Sequence, residues 1–75
     1  GITMYKETFA IRLKEARTEY GISQQTLADE ISIDKSAISK YEAGKLQPNL
    51  ETIGKIAEYL NVSSDWLLGI GKRQK

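Results

Sequence analysis

Helix-start and helix-stop signals recur so closely along this chain that only short helices fit between them. Ser23, Asp34 and Asn49 each carry a side chain able to cap a helix N-terminus, and Ser63 or Ser64 offers a further start. Gly21, Gly44, Asn61 and Gly69 sit where helices must stop, because glycine and asparagine accept the left-handed backbone that ends them. Between these marks the apolar residues recur at spacings of three and four. Phe9, Leu13, Ala16 and Tyr20 form one stripe of a helix expected over Tyr5 to Tyr20. Leu27, Ala28 and Ile31 line a second helix from Gln24 to Ile31, and Ala37, Ile38 and Tyr41 point inward from a third that runs from Asp34 to Glu42. Leu50, Ile53, Ile56, Ala57 and Leu60 give the fourth its apolar face, and Asp65 to Leu68 is a last short helix with an acid in its first turn. No stretch alternates with period two over a strand's length, and no internal repeat is present. The expectation is an all-α, compact five-helix domain.

At 75 residues the chain is one domain. A domain this short buries only about 60% of the surface its unfolded form exposes, so each core position counts. Cysteine and histidine are absent, which excludes disulfides, thiolate nucleophiles, imidazole bases and the usual zinc ligand sets. The paired acids at helical spacing, such as Glu15 with Glu19, face no evident pocket, so no catalytic residues, metal or cofactor are expected and the chain reads as a non-enzyme. It has neither a membrane-spanning apolar run nor a secretory leader pattern, and is expected to be cytoplasmic, with no membrane partner. Residues 1–4 read as an N-terminal extension, with Gly1 ahead of Met4 left by expression. Residues 5–69 read as the domain, and residues 70–75 as a basic tail or linker.

Eleven Lys and Arg against ten Asp and Glu leave a net charge of +1, which gives no footprint of nucleic-acid binding by itself. Distribution is more informative. Lys35, Lys40 and Lys45 fall in a stretch whose one acid is Glu42, whereas Thr26 to Asp34 holds three acids and no base. The block Gln24 to Ala43 has the form of two short helices meeting across a tight turn. Ala28 sits where they approach most closely, and Leu27, Ile31, Ile38 and Tyr41 supply the faces that fix their crossing.

Beyond that pattern, the chain resembles the helix-turn-helix family of phage lambda-type repressors and Cro proteins. The residues that carry the likeness are Arg12-Leu13 and Arg17, Gly21-Ile22-Ser23-Gln24, Leu27-Ala28, Ile38 to Lys45, Pro48 to Ile53, and Leu60 to Gly69. One departure is Ser32, where the family has a turn glycine; a left-handed serine there costs roughly 1 kcal/mol.

The resemblance implies a sequence-specific binder of double-stranded DNA, a transcriptional repressor or its N-terminal domain, working as a dimer on a pseudo-palindromic operator. It implies base contacts from Lys35, Ser36, Ser39 and Lys40, whose donors suit base edges in the major groove. Phosphate contacts are expected from Ser23 and Gln24, where the family's glutamine binds the backbone, and from Lys45 and Asn49 beside the next loop. Arg17 and Glu42 match a structural ion pair between the first and third helices. Trp66, Leu67 and Leu68 fall where relatives make dimer contacts, although completing the core is the competing use for them. The alternative reading is an antitoxin-like or antirepressor-like module on the same scaffold, with a regulatory protein as its main partner.

Overall fold

In the computed structural model, which describes residues 4–73, five helices follow one another: α1 (Met4–Tyr20), α2 (Gln24–Glu30), α3 (Lys35–Glu42), α4 (Leu50–Leu60) and α5 (Ser64–Leu68). No strand occurs among the described residues, and none of these helices is long and apolar enough to cross a membrane. The remnant proposed for residues 1–3 lies outside the described residues. Met4, assigned above to the extension, begins α1 instead.

Starts follow the sequence signals closely. Ser23 Oγ accepts from the Thr26 amide, Asn49 Oδ1 from Thr52 and Ser63 Oγ from Trp66, so Ser63 rather than Ser64 caps α5. Asp34 occupies the cap position of α3 but makes no capping hydrogen bond. Stops are more uniform than the sequence suggests. Each helix ends with one residue at positive φ: Gly21, Ser32, Gly44, Asn61 and Gly69. In every case the following amide reaches back five residues, as Ile33 N does to Ala28 O (2.9 Å) and Lys45 N to Lys40 O (2.9 Å). Ser32, at φ 61°, therefore keeps the closing geometry its missing glycine would have given, at the strain expected of it. With this stop, α2 ends at Glu30, one residue short of the expected Ile31.

One continuous core joins all five helices. Leu13, Leu27, Ala28, Ile38, Ile56 and Leu67 are completely buried, and the rings of Phe9 in α1 and Tyr41 in α3 meet in a T-shaped arrangement with centroids 6.2 Å apart. Two expected core positions are outside it. Leu50 is 86% exposed, because the stripe of α4 gains cover only from Ile53 onward. Tyr20 is half exposed, its ring resting on Tyr59 at 5.4 Å.

The basic tail is also not a free end over its described part. Ile70 N donates to Asp65 O, Ser63 N to Arg73 O (2.7 Å), and Ser63 Oγ to Lys72 O. Arg73 reaches α1, bonding Glu19 at 2.5 Å with Glu15 at 3.6 Å, and its guanidinium lies 4.9 Å from the Trp66 ring centroid. Two acids and one aromatic face thus fold residues 70–73 back onto the domain. Gln74 and Lys75 lie outside the described residues.

Candidate nucleic-acid interface

The side of α3 opposite the core carries four of the nominated residues together. Ile38 and Tyr41 anchor α3 inward, with Ala37 half-buried beside them, and this turns Lys35, Ser36, Ser39 and Lys40 outward as exposed side chains on adjacent turns. The small Ala28 is completely buried at the heart of the unit, where a larger side chain would separate α2 from α3. Two lysines and two serines make a donor-rich surface on a rod of about 12 Å, a size that a major groove admits.

Glu42, at the end of α3, is the acid that could oppose such a surface, and it is fully engaged. Arg17 Nε donates to Glu42 Oε2 at 2.6 Å and Nη2 to Oε1 at 3.1 Å. Arg17 Nη1 also donates to the Ile22 carbonyl at 2.7 Å. The two side chains are only 10% and 4% exposed, so the pair is a buried, bidentate one. Its hydrogen bond to Glu42 raises the Arg17 pKa above the ordinary value, outweighing the opposing effect of burial. A third donor was not anticipated: Gln24 Nε2 meets Glu42 Oε1 at 3.0 Å. No local pattern could have signalled it, because the two residues share no helix.

The expected phosphate-facing residues divide by how their side chains are used. Lys45 is exposed on the loop after α3. Asn49 is exposed too, its carbonyl oxygen committed to capping α4. Ser23 spends its hydroxyl capping α2, accepting from the Thr26 amide and donating to Thr26 Oγ1 at 3.0 Å. Gln24 is half-buried and turned toward Glu42.

The expected dimer contacts need correction. Leu67 has no exposed surface and belongs to the core, so it cannot meet a second chain. Trp66 is partly covered by two guanidinium groups, those of Arg12 and Arg73, each 4.9 Å from its ring centroid. Arg12 Nη1 also donates to the Trp66 carbonyl at 2.5 Å. Leu68 is half-buried against the core.

A rigid two-helix unit with one helix turned outward and donor-rich defines the class, and the chain belongs to the helix-turn-helix family, whose sequence profile matches residues 13–67. It is 47% identical over 60 residues to the SPbeta prophage-derived uncharacterized HTH-type transcriptional regulator YonR of Bacillus subtilis, a match covering 80% of this chain and 56% of that protein. The cryptic phage CTXphi transcriptional repressor RstR of Vibrio cholerae is 40% identical over 58 residues, covering 77% of this chain and 52% of RstR. The chain thus spans about half the length of these curated relatives. Among solved structures, the restriction-modification controller protein C.AhdI from Aeromonas hydrophila superposes with a TM-score of 0.77 at 35% identity, over 83% of this chain and 94% of that one. These relatives are transcriptional regulators and controllers by name, a class that binds DNA and does not catalyse a reaction.

Proposed function

We propose that this domain binds double-stranded DNA with α3 in the major groove and serves a transcriptional repressor that occupies an operator and excludes polymerase. The observation that carries this reading is the pairing of an exposed Lys35, Ser36, Ser39 and Lys40 face with a buried opposite face, the nearby Glu42 charge being neutralised by Arg17. Serine and lysine on adjacent turns can donate to base edges, while Lys45 and Asn49 flank them as phosphate contacts. Ser23 and Gln24 stand where the helix-turn-helix family meets the backbone, with main-chain amides and the second N–H of Gln24 available as the contact. The site of action is the cytoplasm, where the DNA lies.

Two copies bind together on a pseudo-palindromic site, since recognition helices about 34 Å apart match successive major grooves on one face of the duplex. Trp66 and Leu68 keep partial exposure for that contact; Leu67 does not. Selection of binding sites from a random duplex pool tests the proposal. A single enriched motif with two-fold symmetry is expected; enrichment of no sequence overturns it.

A second reading, a protein-interaction module of antitoxin-like or antirepressor-like kind, draws support from a net charge of only +1 and from Leu50, an apolar side chain 86% exposed. The two uses are compatible in one molecule.

A further inference from the structure

We infer that Gln24 is a positioning residue for the recognition helix, acting through Glu42. The inference rests on the DNA-binding reading and concerns how the α3 face is held. Glu42 is the last residue of α3, and its carboxylate accepts from Arg17 of α1 and from Gln24, the first residue of α2. Arg17 also ties down the Ile22 carbonyl in the link between those two helices. Glu42 therefore joins the end of α3 to the corner where α1 turns into α2.

Chemistry determines which end of the Gln24 amide faces Glu42. A carboxylate only accepts, so the group at 3.0 Å from Oε1 must be the NH2. One of the two N–H donors of Gln24 is thereby spent inside the protein on holding Glu42, and only the second is left for any other partner. The lever runs the length of α3. Lys35 and Ser36 lie seven and six residues before Glu42, and a tilt of about 5° about the Glu42 end of a rod of about 12 Å moves its far end by roughly 1 Å, more than a base-edge hydrogen bond tolerates. Random-sequence DNA, held by phosphates, imposes no such demand on the angle. A residue that sets the angle of α3 should thus affect discrimination more than general affinity.

The test is Gln24→Met, which keeps length and helix propensity but removes the donor. Affinity is measured on the selected duplex and on a random-sequence duplex, across a salt series, with circular dichroism and melting recorded at the same concentrations. The expected result is about a tenfold loss on the selected duplex and less than a twofold loss on random DNA. The slope of log affinity against log salt should be unchanged, because no cation has been removed. Equal losses on both duplexes would make Gln24 a phosphate contact and overturn the inference, as would no loss on either. Glu42→Met, which removes the acceptor, supplies the second arm: in that background the effect of Gln24→Met on discrimination should shrink to within twofold, and persistence of the full effect overturns the inference. If Glu42→Met does not fold, the comparison of the two duplexes decides alone. Failure of the unsubstituted protein to select any duplex refutes DNA binding itself, a result separate from these.

Discussion

Lys40 and Glu42 sit two residues apart on α3 and do opposite things, which only their surroundings explain. Lys40 projects from the exposed face; Glu42 is held by Arg17 and Gln24. If Lys40 touches a base, Lys40→Ala relaxes preference at one position of the selected motif by about 1–3 kcal/mol. A competition assay against single-base variants of the motif reads this, and a uniform loss across all variants would reassign Lys40 to a phosphate. Glu42→Ala should act on folding and binding together. It leaves Arg17 buried without its partner, at a cost of about 3 kcal/mol. For a domain of this length, total stability is about 4–11 kcal/mol at 0.05–0.15 kcal/mol per residue. Urea unfolding should show the midpoint fall accordingly; an unchanged midpoint would show the pair to be dispensable for structure.

At the scale of elements, the common helix-stop geometry explains how such short helices are separated so cleanly. Glycine or asparagine occupies the left-handed position at four of the five stops, and Ser32 occupies it at the end of α2, inside the recognition unit. Ser32→Gly removes a left-handed penalty of about 1 kcal/mol, offset in part by the freer unfolded chain. A net gain of about 0.5 kcal/mol is expected, seen as a rise in Tm of about 2–4 °C for a domain of this size. A lower Tm would mean that the serine makes an unrecognised stabilising contact. Gly69 is different in kind: besides its positive φ, a Cβ there would come within 2.8 Å of Thr8 Cγ2, so its place against α1 requires the missing side chain.

Across the whole molecule, charge is arranged so that acids and bases cancel where helices meet and bases remain where α3 is open. Lys35, Lys40 and Lys45 are exposed. If all three lie against phosphates, they together contribute about 2.7 to the log-log salt slope of DNA binding, at about 0.9 each. Lys45→Ala should lower the slope by about 0.9 on every duplex, a change measurable by repeating the binding isotherm from low to high salt. On the α1 side of the fold, Arg73 closes the domain by joining Glu19 and Glu15 to the Trp66 face. Arg73→Ala should lower Tm by a few degrees and redden Trp66 fluorescence as the ring loses its cover, with DNA affinity unchanged. An emission spectrum identical to that of the unsubstituted protein would show that the returned segment does not cover the ring in solution.

The sequence by itself determined the five helices, most of their caps and stops, the small residue between α2 and α3, and, by likeness to a family, the Arg17–Glu42 pair. These are local facts: capping, left-handed stops and apolar spacing act within a few residues, so their signals lie side by side in the chain. Only the tertiary structure decided that Leu50 lies outside the core and Leu67 deep within it, although both fit an apolar stripe equally well. Whether a stripe is covered depends on segments distant in the chain. The same holds for Gln24 on Glu42 and for Arg73 on Glu19, the latter joining residues 54 apart. Such contacts form because folding leaves a buried carboxylate or an exposed ring in need of a partner, a need that does not exist until the helices have packed.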